Sequence, residues 1–318
     1  MPSTPKPFRF AAQLNEPLFG LSWADTCREI EDLGYSTVFV PDHFDEGLGP
    51  ISAMAMAAAV TTELNVGALV LDCDFRHPAV TGRELATIDA LSEGRLEVGL
   101  GAGWKRSDYD YSGIPMDRPG VRVSRMIEHA TILRGLFTTE AVTFDGEHYQ
   151  VADLPGQPRP HRPEGPPFLI GGGAPRLLRF AGSFADIVGV NPSIHSGEID
   201  SAAAQDGMPE RIDEKFAWVG EGAQKRTDGK DVADIEFNAW LAAAEITDDR
   251  DSVGALLGEL FGVEPGTGLE SPMVLVGTTS QVAEDLQHRR ERWGYSYTVI
   301  PGDKARDFAP VVADLSGN

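Results

Sequence analysis

The feature that most restricts this chain is an alternation, kept up along most of its length, of short β-branched or apolar runs with longer stretches of helical period. Phe8–Leu14 reads as a strand and Trp23–Leu33 as a helix, with Ser22 capping it through a Ser-x-x-Asp box and Gly34 closing it. Thr37–Val40 is a second strand. The unit then repeats as helix Ile51–Thr61, strand Leu64–Leu71, helix Pro78–Leu91 with Pro78 in its first turn, and strand Leu96–Leu100. Parallel neighbours need crossover connections, which helices supply, so this order predicts a parallel sheet.

After Leu100 the alternation pauses. Gly101–Gly120 reads as a long loop, Val121–Phe137 as an amphipathic helix, and Val142–Val151 as a hairpin around the Asp145-Gly146 turn. The proline-rich stretch 155–167 reads as an extended connector, because the alternation resumes behind it. Strands are expected at Phe168–Ile170, Ile187–Val190, Ile235–Ala242 and Tyr297–Ile300, with helices at Arg176–Phe184, Pro209–Arg226, Arg250–Phe261 and Ser280–Trp293. Met273–Val276 is set aside as a short accessory strand. The remaining strands number eight, which predicts an α/β fold closed as a (β/α)8 TIM barrel, a single domain over residues 1–318 with insertions at its C-terminal mouth. The competing arrangement, an open doubly wound sheet, would carry a Gly-x-Gly-x-x-Gly turn after the first strand, where Asn15-Glu16-Pro17 stands.

Composition narrows the partners. Asp and Glu outnumber Lys and Arg by 49 to 27, a formal net charge of -22 that repels nucleic acid phosphates and anionic lipid. No uninterrupted apolar run approaches the roughly 20 residues of a membrane span, and Met1–Pro7 lacks the apolar stretch of a signal peptide, so a cytoplasmic protein is expected. Cys27 and Cys73 read as buried thiols. His77, His129, His148, His161, His195 and His288 are dispersed without metal-ligand spacing, and no Gly-x-Ser-x-Gly elbow suggests a hydrolase.

In a barrel, chemistry sits where strands end and the following loops begin. Four places qualify. Asp42-His43-Phe44 follows the second strand: either the imidazole moves a proton with Asp42 setting its charge, or Asp42 caps the loop and His43 only packs. Gly67 to Leu71, at the end of the third strand, reads on its own as buried strand. Gly99-Leu100-Gly101-Ala102-Gly103-Trp104 either lets a flat ring approach the backbone with Trp104 as a wall, or is a tight turn. Gly171-Gly172-Gly173-Ala174-Pro175 leads into a helix, where exposed amides form a phosphate seat; Arg176 supports this, since a cation in a first turn opposes the helix dipole unless an anion lies beside it. Lys105-Arg106 and Arg176 with Arg179 fall near the same predicted rim, as an anionic ligand would require or as solvated cations scattered by chance.

Several of these stretches also carry a resemblance. Leu64-Asn65-Val66-Gly67, Arg76-His77-Pro78-Ala79, Glu84 through Thr87-Ile88-Asp89-Ala90-Leu91-Ser92-Glu93-Gly94-Arg95, and Gly99 through Trp104 resemble the luciferase-like monooxygenase superfamily, with Ser271-Pro272 to Gly277-Thr278 and Gly294-Tyr295-Ser296-Tyr297 also in pattern. Gly103 through Tyr109, Gly113-Ile114-Pro115 and Arg122-x-x-Arg125 look like a branch of probable coenzyme F420-dependent oxidoreductases. The resemblance implies hydride transfer between F420 and a small organic substrate, or alternatively FMN-dependent monooxygenation or a non-catalytic cofactor-binding role. It implies that His43 with Asp42 handles the proton near the reactive ring carbon. It further implies a non-proline cis peptide at Leu69-Val70 behind the ring, ring contacts from Gly101, Ala102, Gly103 and Trp104, a phosphate held at Gly171 to Gly173 and a weaker contact from Asn191. Trp104 stands where a glutamate often stands in F420 enzymes, and FMN-using relatives share the Gly-Ala-Gly-Trp run. Relatives often form homodimers.

Overall fold

In the computed structural model, which describes residues 5–45, 47–194, 196–198 and 200–318, eight parallel strands close into a barrel. They are β1 (Arg9–Gln13), β2 (Thr37–Val40), β3 (Asn65–Ala68), β4 (Leu96–Gly101), β5 (Phe168–Gly172), β6 (Ile187–Val190), β7 (Glu236–Trp240) and β8 (Tyr295–Pro301). The order around the barrel is β3-β2-β1-β8-β7-β6-β5-β4, and Val66 and Gly67 of β3 pair with Leu96 and Glu97 of β4 to complete the ring.

Eight helices cover it: α1 (Trp23–Asp32), α2 (Pro50–Val60), α3 (Pro78–Leu91), α4 (Pro119–Thr138), α5 (Pro175–Phe184), α6 (Pro209–Ala223), α7 (Thr279–Trp293) and α8 (Ala305–Leu315). Local sequence explains where they start. Five of them, α2 to α6, open on proline, whose fixed φ suits the first turn and whose missing N–H costs nothing there. Ser22 accepts from the Asp25 amide ahead of α1, and Thr278 forms a capping box with Gln281 ahead of α7.

The two faces of each strand have different company. Along β4, Leu96, Val98 and Leu100 join the core between barrel and helices, while Glu97 points inward. The barrel interior holds Ala11, Phe39, Leu169, Ile187, Tyr297 and Val299, with half-buried Leu69, Val70 and Trp240 against them. At its N-terminal end Arg9 lies over the Tyr297 ring, 3.5 Å from the centroid. Its guanidinium donates to Glu236 at 2.7 and 2.5 Å and to Glu97, which also accepts from the Tyr297 hydroxyl at 3.1 Å. That end of the barrel is plugged by charges that satisfy one another.

The fold departs from the sequence expectations in particular places. The third strand ends at Ala68, and Leu71–Asp72 forms a separate short strand beside Leu100 and Gly101. The expected loop 101–120 contains a helix, Arg106–Ser112, closed by Gly113 at φ 73°. Between β6 and α6 stands a short helix, Ser201–Asp206. The accessory strand Val274–Gly277 has a parallel partner, Ala243–Ile246, outside the barrel. Helix α8, which carries Pro310 within it, was not expected.

Candidate active site at the barrel mouth

A cavity of about 590 Å³ opens at the C-terminal ends of the strands, within the range of small-molecule sites. Gln13 of β1, His43 beyond β2, Trp104 beyond β4 and Trp240 of β7 wall it, with Arg106 and Glu198 at its edge. The Trp240 indole donates to the Gln13 side-chain oxygen at 2.8 Å. Trp240 also packs on the interior cluster together with Leu69 and Val70, which joins the cavity to the inside of the barrel. The Leu69-Val70 peptide is cis, as the resemblance implies.

His43 is the best-held titratable group on the cavity wall. Its Nδ1 lies 2.7 Å from Asp108 Oδ2, and the second Asp108 oxygen accepts from the Phe44 amide at 2.9 Å. Asp108 is buried, and the edge of the Trp104–His43 pair is T-shaped with centroids 5.7 Å apart. A carboxylate fixed on Nδ1 leaves Nε2 as the nitrogen that can give or take a proton.

This corrects the expected pairing of His43 with Asp42. The Asp42 carboxylate is bound by Arg76 at 2.5 and 3.0 Å and by the Asp72 amide at 3.1 Å. It serves the neighbouring loop rather than the imidazole. Asp108 was missed as a partner because it stands 65 residues from His43, on a helix inside a segment read as loop; its place in the motif Gly103 through Tyr109 was the only signal.

The glycines near Trp104 also serve the protein itself. A side chain at Gly101 would run into Val70, and one at Gly103, whose φ is 73°, would run into the Tyr109 hydroxyl and the Asp72 carboxylate. Arg122 is buried and donates to the Ala102 carbonyl at 3.1 Å and the Gly103 carbonyl at 3.3 Å, holding the loop that carries Trp104. Behind it, the Tyr109 hydroxyl is 3.0 Å from Asp72 and from Asp74. Burial pushes Asp72 up to about 7; the Asp74 amide and the Tyr109 hydroxyl act against it, while the nearby Asp74 carboxylate adds to it.

The triple-glycine turn ends the strand next to β4, and its residues are not among those that line the cavity. Gly171 and Gly172 end β5, Gly173 follows, and Ala174 caps α5. A Cβ at Gly173 would lie 2.5 Å from the Asn191 carbonyl oxygen, so only glycine lets the two loops cross there. The Asn191 side-chain oxygen is buried without a partner, and a Cβ at Gly171 would lie 3.2 Å from its amide nitrogen. Asn238 of β7, also unpartnered, sits across Gly189 from it. Sequence reasoning missed Asn238.

The expectation that Arg176 needs a bound anion is corrected too. Its guanidinium donates to the Gly120 carbonyl at 2.9 Å and to the Ser124 hydroxyl at 2.8 Å, away from the glycine turn. Arg179 pairs with Glu221 at 2.6 Å, whereas Lys105 and Arg106 line the cavity, so the expected basic rim is divided. Among the described residues no group of His, Cys, Asp and Glu is arranged to hold a metal, and no helix is long and apolar enough to cross a membrane. His195 lies outside the described residues.

Comparison with known proteins bears on this arrangement. An F420-dependent glucose-6-phosphate dehydrogenase of Intrasporangium calvum is 33% identical over 166 residues, 49% of each chain, so the chain spans about half the length of that relative. A pyrimidine monooxygenase, RutA, of Methylobacterium radiotolerans is 29% identical over 285 residues, 84% of this chain and 72% of its own. The fold is shared with the coenzyme F420-dependent tetrahydromethanopterin reductase of Methanopyrus kandleri, with a TM-score of 0.76 over 98% of both chains at 18% identity. The sequence model of the luciferase-like monooxygenase family matches residues 22–297, and the chain belongs to that family.

Proposed function

We propose that the protein is an F420-dependent oxidoreductase that passes hydride between the deazaflavin and a small organic substrate, acting in the cytoplasm. The observation that carries this reading is the His43–Asp108 pair on the wall of a mouth cavity that continues, through Trp240, to the Leu69-Val70 cis peptide. Bound F420 supplies a ring carbon that gives or accepts hydride. The residues present fit such a ring: the buried, unpartnered Asn191 oxygen is an unmet acceptor inside the barrel, and Leu69 and Val70 offer a half-buried apolar surface.

The protein's own part is the proton. When an organic substrate loses hydride from a carbon bearing a hydroxyl, the hydroxyl proton must leave as well, and in the reverse direction it must be supplied. His43 Nε2 takes or gives that proton, while Asp108 on Nδ1 holds the imidazole in orientation. Trp104 and Trp240 shield the cavity from water on two sides and leave room for an apolar or planar substrate face.

An FMN-dependent monooxygenase is the second reading, favoured by the match to a pyrimidine monooxygenase over 84% of the chain. Anaerobic titration of the purified protein with F420 and with FMN separates the two. Saturable F420 binding with no FMN binding at the same concentrations is expected; tight FMN binding without F420 binding would overturn the first reading.

A further inference from the structure

Lys215 is fully buried, on α6, and its ammonium group reaches two partners. It donates to the Gly173 carbonyl at 2.8 Å and to Asp206 Oδ2 at 2.5 Å. The same Asp206 oxygen accepts from the Ser193 amide at 2.8 Å, and Asp206 Oδ1 accepts from Arg211 at 3.0 Å. One ion pair, buried on its lysine side, thus ties together the glycine turn, the loop after β6 and α6. Burying an ammonium group is costly, and here it is matched by a carboxylate and a backbone carbonyl.

The Gly173 carbonyl and the Ala174 N–H belong to one trans peptide unit, so they point in opposite directions. Holding the carbonyl on Lys215 therefore turns the Ala174 N–H away from α6, at the N-terminus of α5. Among the described residues this N–H has no protein acceptor. Gly173 admits the crossing loop and Lys215 locks it: a side chain at Gly173 would meet Asn191, Pro192 and Ser193, the stretch that Asp206 holds through Ser193.

We propose that Lys215, set by Asp206, is a positioning residue that orients the glycine-turn amides for an anionic cofactor tail without touching that tail. The proposal rests on the reading of Gly171 to Gly173 as the seat of the F420 phosphodiester. It explains why a lysine is buried behind a turn that would receive an anion: the ammonium group fixes the direction of the amide dipoles, and the amides do the binding.

The test compares two ligands, F420 and the same deazaflavin with its ribityl chain but no phosphate, titrated into wild type, Lys215→Met and Asp206→Asn. Wild type is expected to bind F420 the more tightly. Lys215→Met should lose about tenfold or more in F420 affinity and leave the phosphate-free ligand within about twofold, with Asp206→Asn following in the same direction to a smaller extent. Equal losses for both ligands, or no loss for either, would overturn the proposal, the first by showing that the pair only holds the fold. If Lys215→Met does not fold, Asp206→Asn decides by the same comparison. Equal affinity of wild type for the two ligands would show that the glycine turn is no anion seat; this removes the role of Lys215 while leaving F420 as the cofactor.

Discussion

The two ends of the barrel use similar side chains to opposite purposes. At the N-terminal end Arg9, Glu97, Glu236 and Tyr297 close on one another, and each charge faces an opposite charge or a hydroxyl. At the C-terminal mouth the pairing is left incomplete. Asp108 occupies one nitrogen of His43, and the Asn191 oxygen and both polar atoms of the Asn238 side chain find no protein partner. A buried polar group without a partner costs on the order of 1–3 kcal/mol, so the Asn191 and Asn238 atoms at the mouth are costly to keep unless a bound molecule meets them.

This contrast can be broken by substitution. His43→Ala should slow F420-dependent turnover by about 10²–10⁴-fold per folded molecule, measured against a panel of alcohols, ketones and sugar phosphates, while leaving F420 affinity nearly unchanged. Unaltered turnover would mean that the mouth histidine only packs. Glu97→Ala should do the reverse. It removes a partner of Arg9 inside the barrel and should cost about 3 kcal/mol in denaturant unfolding, with turnover per folded molecule preserved.

Asp72 sharpens the comparison from behind the mouth. Burial raises it from 3.8 to about 7, so the folded protein binds more protons than the unfolded chain between those values. The contribution of Asp72 to stability is therefore fully present below about pH 4 and is lost as pH rises toward 7, by at most about 1.4 kcal/mol per pH unit. Asp72→Asn should flatten that segment of the stability profile, as urea unfolding at a series of pH values would reveal. A slope identical to wild type would show that Asp72 is not the group responsible. The smallest effect is expected at Arg176, whose bonds go to Gly120 and Ser124: Arg176→Ala should change F420 affinity by less than about threefold in a titration, and a larger loss would return it to the ligand site.

The barrel itself was legible because its signals are local. A strand's apolar run and a proline at a helix start are written within a few residues, and they marked all eight barrel strands and seven of the eight covering helices. The site was legible only in part. His43 and the Leu69-Val70 peptide stand at strand ends and could be placed by the barrel rule and the family pattern. What joins them could not: Asp108 reaches His43 from a helix in the fourth loop, Arg76 claims Asp42 from the third, and Lys215 meets Gly173 across 42 residues. Adjacent carboxylate and imidazole in sequence suggested a pair, yet neighbours along an extended segment direct their side chains to opposite sides, and a more distant carboxylate has the better approach.

Imidazole NMR on the folded protein tests this account most directly, because it needs neither substrate nor cofactor. With Asp108 holding Nδ1, the His43 ring should show a hydrogen-bonded proton on Nδ1 that persists in Asp42→Asn and disappears in Asp108→Asn. Loss of that proton in Asp42→Asn, with its retention in Asp108→Asn, would contradict it.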